Sequence, residues 1–275
     1  MQGVYVRRIA YGFLVVMTLI NLFPIVWLLI SSTKPEIEMF QVPPTIVPRT
    51  PSLENYEVAL FKKPFLHYLM NSAVIVLSAT LLSTMTAAIA AYGLSRYRFP
   101  GSRLFVVFLL IVRMIPGIAI LVPMFVLMKN LNLVDTYLCL VLAYGTFSIP
   151  FGILMMRGFY EELPLELEES AMLDGCTRLG AFLRIAFPLS APGLAATSIF
   201  NFVMNWNEFL FALVLTSTVA SKTVPIGLTE CISLFRVMWG PLTAATVVFI
   251  LPILVFAIFA QRYLVAGLTF GAVKG

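Results

Sequence analysis

The polar side chains that could meet a solute stand in an otherwise apolar segment near residue 200. Asn201, Asn205 and Glu208 are spaced i, i+4, i+7, so a helix would place them on one face. Amides and a carboxylate in a row can hydrogen-bond a hydroxyl-rich solute, and Arg113 is a second charge inside an apolar segment. The same groups could instead bond to neighbouring helices. We therefore predict a solute path at these four residues, with helix–helix bonding as the alternative for each one.

Groups for catalysis or nucleotide binding are sparse along the chain. His67 is the single histidine, which excludes histidine-based metal clusters and Ser-His-Asp chemistry. The phosphate-binding pattern GxxxxGK[ST] does not occur. Cys139, Cys176 and Cys231 are too far apart in sequence for a metal or redox motif. We predict that the chain is not an enzyme, has no catalytic residues or metal site, and binds no cofactor itself.

The composition is that of an integral membrane protein. Of 275 residues, 60% are hydrophobic and only 11% are charged, whereas soluble domains carry about 25% charged residues. A helix that crosses a bilayer needs roughly 20 apolar residues. Segments of this kind predict an all-α polytopic protein with six transmembrane helices and a single domain. The predicted spans are Ile9–Ile30, Ser72–Gly93, Leu104–Met128, Tyr137–Met156, Leu194–Thr216 and Leu242–Gln261.

Two patterns in these spans concern helix packing. Small residues in the second span let neighbouring helices approach closely; they are Ser78, Ser83, Thr86, Ala87, Ala90 and Ala91. Proline kinks a helix because it lacks an N–H group and its ring clashes with the preceding turn. The third span contains Pro116 and Pro123, the fourth contains Pro150 and the sixth contains Pro252. We expect the second span to be packed against other helices and the third, fourth and sixth to be kinked.

Basic residues indicate the orientation of the spans. If the N-terminus lies inside, the inner segments hold ten lysines and arginines and the outer segments hold seven. Arg7, Arg8, Arg96 and Arg98 lie directly at span ends, where positive charge marks the cytoplasmic side. Both termini are therefore predicted to be cytoplasmic. This placement accounts for the net charge of +5, and no nucleic-acid partner is implied.

A charged segment between the fourth and fifth spans departs from the rest of the chain. Glu161–Pro192 carries six of the thirteen acidic residues. Pro164 favours the start of a helix, Gly175 favours its end, and a second start at Thr177 leads to a stop at Pro188. This pattern predicts two short helices joined by a turn at the cytoplasmic face. Their acidity disfavours a helix lying on the membrane and favours docking of a soluble partner.

The same segment carries a spaced motif. Glu169-Ser170-Ala171 is followed after three residues by Gly175, and after nine more by Ile185-Ala186-Phe187-Pro188. This spacing resembles the EAA loop of binding-protein-dependent ABC importer permeases, with Ser170 and Phe187 as mild departures from the family pattern. Further likenesses to carbohydrate-uptake permeases of the maltose-transporter type are Arg113–Pro116, Trp206–Phe209 and the tail from Gln261 to Gly275.

The resemblance implies an ABC importer type I permease fold over residues 1–275, in the cell membrane of a bacterium or archaeon. It implies a cytoplasmic coupling loop at about 157–192 and an extracellular loop at about 217–241 that probes the binding protein. The implied coupling residues are Glu168, Glu169, Ser170, Ala171, Asp174, Gly175, Ile185 and Pro188, and the tail implied to reach between the ATPases is Gly271, Ala272, Val273, Lys274 and Gly275.

The implied assembly places the energy source outside this chain. The expected partners, besides the lipid bilayer, are a second permease subunit in a heterodimer, two cytoplasmic ATPase subunits that hold ATP and Mg²⁺, and an extracellular solute-binding protein. The solute would be a sugar or a related polar molecule. The alternative is a stand-alone secondary transporter coupled to ions through its intramembrane charges. Such transporters usually show more spans and internal repeats than this sequence does.

Overall fold

Helices make up nearly all regular structure in this chain. The computed structural model describes the backbone of residues 2–272 and the side chains of residues 7–258. Two π-helical turns, Val58–Lys62 and Phe182–Ala186, accompany the α-helices. The α-helices are α1 Gln2–Ser32, α2 Glu36–Met39, α3 Glu54–Glu57, α4 Phe65–Arg96, α5 Ser102–Met114, α6 Gly117–Asn130, α7 Tyr137–Glu162, α8 Glu166–Leu173, α9 Arg178–Ala181, α10 Phe187–Leu189, α11 Ala191–Trp206, α12 Leu210–Leu215, α13 Val224–Thr229 and α14 Trp239–Ala272.

Four single helices of the described residues are long and apolar enough to cross a membrane. They are Arg7–Ser32 in α1, then α4, α7 and Trp239–Ile258 in α14. Two further pairs reach the required length only together. The pair α5 and α6 is bent by 97°, and the pair Arg178–Leu189 and α11 is bent by 70°. The chain therefore has four candidate spans, or up to six if each bent pair crosses as one.

The third predicted span is broken rather than kinked. Leu104–Met128 was expected to form one helix, but the helix stops at Met114 and restarts at Gly117. Pro116 explains the break, because a proline excludes the helical conformation from the residue before it. Ile115 accordingly has an extended backbone, with ψ of 121°. Arg113 consequently lies near the end of α5, next to the break between α5 and α6.

The prediction of one helix over Leu194–Thr216 is also wrong. α11 ends at Trp206, and α12 starts only at Leu210. Asn201 and Asn205 therefore share a helical face, but Glu208 lies in the break, beyond that face. The expected stop at Pro188 is displaced as well: the π turn Phe182–Ala186 precedes it and α10 continues to Leu189. A π turn widens the helix where the proline ring would otherwise meet the carbonyl four residues back.

The residues divide into two compact units. One consists of the chain up to Leu66 together with Gly227–Leu251, and the other contains His67–Ile226 and begins again at Pro252. In the second unit, α4, α7 and α11 pack closely. A Cβ atom on Gly152 of α7 would lie 2.8 Å from the Cβ of Ala87 on α4 and 3.3 Å from Thr197 on α11. This approach requires glycine.

The expectation for small residues in the second predicted span holds on one face of α4 only. Ser83, Ala87 and Ala91 are fully buried in the second unit, whereas Ser78 and Thr86 are exposed. Of the other spans that contain proline, α7 continues through Pro150 and α14 through Pro252. The C-terminal tail is described only in part: α14 includes the backbone of Gly271 and Ala272, and Val273, Lys274 and Gly275 lie outside the described residues.

Candidate functional site

The acidic segment folds as two helical pieces joined by a tight turn, as predicted. α8 ends with hydrogen bonds from Gly175 N–H to the Met172 carbonyl, 3.1 Å, and from Cys176 N–H to the Ala171 carbonyl, 3.0 Å. This pair of bonds is the Schellman helix ending. It requires Gly175 to be left-handed, with φ of +89°. The Thr177 hydroxyl then accepts the N–H of Gly180, 3.1 Å, and caps the next helix.

Glu168 joins this segment to α4. Its side chain is buried, and Arg96 Nε donates to its Oε1 at 2.8 Å. The Tyr92 hydroxyl donates to Oε2 at 2.6 Å. Arg96 Nη2 also donates to the carbonyl of Leu163, 3.1 Å, just before α8. Both carboxylate oxygens and the guanidinium are thus engaged, which is the condition under which a buried charge pair is tolerated.

Aromatic side chains fill the base of the segment. The ring centroids of Tyr92 and Phe182 lie 4.5 Å apart, and those of Tyr92 and Tyr160 lie 5.6 Å apart. Phe182 and Tyr160 belong to a buried cluster that also contains Ala87 and Met156. Such contacts between aromatic rings add to the free energy gained from burial. The loop is therefore packed onto α4 and α7 as a rigid part of the second unit.

The other predicted coupling residues form the outer surface of the segment. Leu173 is 88% exposed, next to the turn. Among the predicted residues, Glu169, Ser170, Asp174, Gly175 and Pro188 are exposed, and Ala171 and Ile185 are half-buried. Glu168 alone points into the protein.

The four residues of the predicted solute path line one cavity in the second unit. Arg113, Asn201, Asn205 and Glu208 all border a space of about 420 Å³. Apolar side chains form most of the remaining wall: Phe147, Phe151, Phe200, Met204 and Phe211. A largely apolar wall with a few convergent polar groups is the usual composition of a small-molecule site.

The polar groups of the cavity also bond within the protein. Ser148 of α7 donates to Asn205 Oδ1 at 2.8 Å, and the Asn205 amide lies 3.5 Å from the Thr80 hydroxyl of α4. The Asn201 amide lies 3.4 Å from the Thr84 hydroxyl. The two contacts to threonine are long and weak. The amides therefore join helices and border the cavity at the same time.

The two charged residues of the cavity are positioned in different ways. Glu208 accepts the backbone N–H groups of Phe211, 2.9 Å, and Ala212, 3.2 Å, and so caps the start of α12. Arg113 lies 5.1 Å from the centre of the Phe151 ring, a cation–π contact. Glu208 thus stands at the break between α11 and α12, and Arg113 at the break after α5.

The predicted extracellular loop is anchored at its start. Asp135, with φ of +66°, accepts the N–H groups of Ser217, 2.8 Å, and Thr218, 3.1 Å, and the hydroxyl of Ser221. Partial burial opposes ionisation of Asp135, but these hydrogen bonds outweigh it and hold its pKa well below the ordinary range. Asn71 adds two bonds from its amide to the carbonyls of Val219 and Lys222, each 2.9 Å.

Sequence reasoning missed several of these partners. Tyr92 and Arg96, which bind Glu168, and Thr80 and Thr84, which face the two amides, were not predicted as functional. A signal was present for the threonines. Thr80, Thr84, Ala87 and Ala91 are spaced i, i+4, i+7, i+11, so they lie on one face of α4. No local pattern indicated that Glu168 turns inward, because its partners come from a distant helix.

Known proteins match the chain over most of its length. The family model for the binding-protein-dependent transport system inner membrane component matches residues 83–269. The sulfoquinovosyl glycerol transport system permease protein of Agrobacterium fabrum is 38% identical over 93% of this chain and 90% of its own. The trehalose transport system permease protein of Mycobacterium tuberculosis is 37% identical over 92% of this chain and 93% of its own.

A solved structure shows the same fold. It is a bacterial ABC transporter involved in the import of the acidic polysaccharide alginate, with a TM-score of 0.81, 22% identity, and coverage of 96% of this chain and 98% of that one. The chain belongs to the family of binding-protein-dependent transport system inner membrane components. It is a non-catalytic permease subunit and a multi-pass protein of the cell membrane. The family match does not support the alternative of a stand-alone ion-coupled transporter.

The buried pair between Arg96 and Glu168 allows a direct test. Arg96→Met would leave Glu168 buried without its cation, and we expect a loss of about 3–5 kcal/mol in the free energy of unfolding. Adding Glu168→Met should recover much of that loss. The matched control is the exposed pair of Arg157 and Glu161 on α7, 2.7 Å apart, where Arg157→Met should cost less than about 1 kcal/mol. Thermal unfolding of the purified protein measures each change, and a double variant no more stable than Arg96→Met would contradict the assignment.

Proposed function

We propose that this chain forms, with a second permease subunit, the path by which an ATP-driven importer admits a carbohydrate or a related polar solute. One observation carries the proposal: the cavity of the second unit combines Arg113, Asn201, Asn205 and Glu208 with phenylalanine rings. Hydroxyl-rich solutes present both hydrogen-bonding groups and apolar faces. The relatives named for sulfoquinovosyl glycerol and trehalose support this solute class.

In this proposal the membrane topology has six spans and both termini in the cytoplasm. The bent pair α5 and α6 then counts as one span and α11 with α12 as another, so that Arg178–Leu189 stays in the cytoplasmic segment, and residues 1–275 act as a single permease domain. The breaks at Pro116 and after Trp206 give those two spans irregular backbone. Irregular backbone inside a membrane is tolerated where it is buried in protein or lines a cavity. Arg113 and Gly117, on either side of the first break, both line the cavity.

The exposed surface of the acidic segment is the proposed contact with the ATPase. Glu169, Ser170, Asp174 and Gly175 would face a cleft of that subunit, which holds ATP and Mg²⁺. Glu168 has a different role in this account: its buried bond to Arg96 holds α8 in place. Two routes then connect the contact to the cavity. One runs through α4 to Thr80 and Thr84, and the other runs through α10 into α11, which carries Asn201 and Asn205.

The remaining partners follow from the same proposal. An extracellular binding protein delivers the solute, and the loop at about 217–241 reaches toward its pocket. Leu234 and Phe235 in this loop are each 97% exposed, so they are free to enter a partner. Two copies of the ATPase serve the permease heterodimer. The tail at residues 271–275 would reach between the two ATPases.

The solute path is tested by changing one amide of the cavity. Asn205→Leu removes polarity at the wall, and we expect uptake by the reconstituted transporter to fall by up to about tenfold. Complex yield and basal ATP hydrolysis should be retained. Asn207→Leu is the matched control, because Asn207 is exposed and its amide donates to the carbonyl of Val203 in the preceding helix, 2.8 Å. If Asn205→Leu lowers the yield of assembled complex and leaves uptake per complex unchanged, the residue only joins helices.

The coupling surface is tested through its turn. Gly175→Leu forces a branched side chain into a left-handed position, at a cost of roughly 1–2 kcal/mol. Gly101 is the matched control, since its φ is +90° and nothing lies within 4 Å of a Cβ at either position. Both variants should insert and fold, with the same strain. Only Gly175→Leu should lose solute-stimulated ATP hydrolysis and attachment of the ATPase. Equal activity of the two variants would refute the coupling role.

A further inference from the structure

A second cavity lies in the first unit, at the ends of two candidate spans. It has a volume of about 330 Å³. The last turns of α1 supply Trp27 and Leu28, and the first turn of α14 supplies Trp239. Residues after α1 close the space, among them Lys34, Glu38 and Phe40. None of these residues belongs to the coupling segment or to the proposed solute path.

The position of the two tryptophans indicates the depth of this cavity in a bilayer. Trp27 lies within five residues of the end of α1, and Trp239 is the first residue of α14. Tryptophan at span ends marks the level of the lipid headgroups. The flanking turns of α1 are apolar and exposed, with Phe23 at 66% and Val26 at 47%. The tryptophans therefore place the cavity at the height of the lipid headgroups, at the end of an exposed apolar helix.

The cavity holds a buried charge of each sign. Lys34 is 2% exposed and Glu38 is 6% exposed. Lys34 Nζ donates to the Thr45 carbonyl and lies 4.9 Å from the centre of the Trp27 ring. Glu38 Oε1 accepts the hydroxyl of Thr45 at 2.8 Å and the N–H of Arg49 at 2.9 Å. Among the described residues, none donates to Glu38 Oε2.

The charge state of Glu38 supports a role in binding. The hydrogen bond from the Arg49 N–H, joined by that from Thr45, lowers the pKa of Glu38 below its ordinary value. It is therefore a carboxylate at neutral pH. An ammonium has three donors, so Lys34 can donate beyond its bond to Thr45. Each charge thus retains bonding capacity toward the cavity.

We propose that this cavity binds the headgroup of a zwitterionic aminophospholipid, with the phosphate at Lys34 and the amine at Glu38 Oε2. Trp239 and Phe40, whose rings are in edge-to-face contact with centroids 6.3 Å apart, both line the cavity and would lie beside the amine. Aromatic faces attract a cation within about 6 Å. The acyl chains would leave along the exposed apolar side of α1.

The two charges favour this ligand over its competitors. Lys34 and Arg49 already interact favourably with the Glu38 carboxylate, and a headgroup that carries both signs adds a partner for each charge without adding net charge to the cavity. A headgroup that carries only a phosphate would satisfy Lys34 but would place a second anion near Glu38. A saccharide would hydrogen-bond to both residues without compensating either charge.

The test counts lipids that stay bound to the complete transporter. The transporter is placed in nanodiscs of equal parts phosphatidylethanolamine and phosphatidylglycerol, extracted in detergent, and its retained lipids are counted by mass spectrometry. We expect phosphatidylethanolamine to be enriched about tenfold over phosphatidylglycerol, because one charge-assisted hydrogen bond changes an affinity by about this factor. Glu38→Gln should abolish this preference, since glutamine can still accept from Thr45 and Arg49 but has no charge. Lys34→Gln should lose both lipids, and Lys34→Arg should retain them.

Matched controls come from an exposed ion pair in the same unit. Lys62 and Glu57 lie 3.3 Å apart with both side chains more than half exposed, so Glu57→Gln and Lys62→Gln should leave retention unchanged. Equal retention of the two lipids by the native chain would overturn the proposal. Release of the lipid by a soluble saccharide would overturn it too. Complete displacement by soluble glycerophosphoethanolamine would assign the site to a free solute instead of a membrane lipid.

Discussion

The ion pair of Arg96 and Glu168 is the interaction on which the arrangement of the coupling segment depends. An acidic helix of eight residues has little stability alone, and its sequence supplies only a short apolar face. The pair fixes α8 at the end of α4, and the rings of Tyr92, Tyr160 and Phe182 complete the attachment. Because the carboxylate and guanidinium are both buried, separating them is expensive. A displacement of α8 must therefore move α4 with it.

This rigidity gives the cavity its proposed link to the energy source. The packed face of α4 continues from Arg96 through Ala91 and Ala87 to Thr84 and Thr80. The amides of Asn201 and Asn205 bond to those threonines, although weakly. Bonding to a neighbouring helix and bordering a solute path are thus not opposed roles. Because the contacts between the amides and the threonines are weak, a bond to a solute can replace them, and a shift of a helix can break them.

The sequence predicted local features well and breaks in the long helices poorly. The helix end at Gly175 depends on a left-handed backbone and the helix start at Thr177 on one hydroxyl, so both follow from residue type. The break at Pro116 was expected only as a kink, because the angle at a proline is set by what the neighbouring helices allow. The break after Trp206 contains no proline or glycine, so the sequence did not predict it. Glu208 stabilises this break because its carboxylate caps the start of α12.

The candidate site was predictable in its members but not in its contacts. A polar group in an apolar segment costs free energy and is therefore usually functional. This argument singled out Asn201, Asn205, Glu208 and Arg113. That they border a single cavity required the fold. The inward position of Glu168 could not be read locally, since Glu168 and Glu169 are adjacent glutamates on the same helix. Which of them is buried depends on Arg96, which is 72 residues earlier.

Crosslinking from the exposed turn tests the central claim most directly. In a chain whose Cys139, Cys176 and Cys231 have been replaced, Leu173→Cys is compared with Leu234→Cys in the complete transporter; these leucines are 88% and 97% exposed. The account predicts that Leu173→Cys crosslinks to the ATPase subunit with an efficiency that changes when nucleotide is added, and that Leu234→Cys does not crosslink to it. Crosslinking of the ATPase from Leu234→Cys, with none from Leu173→Cys, would contradict it.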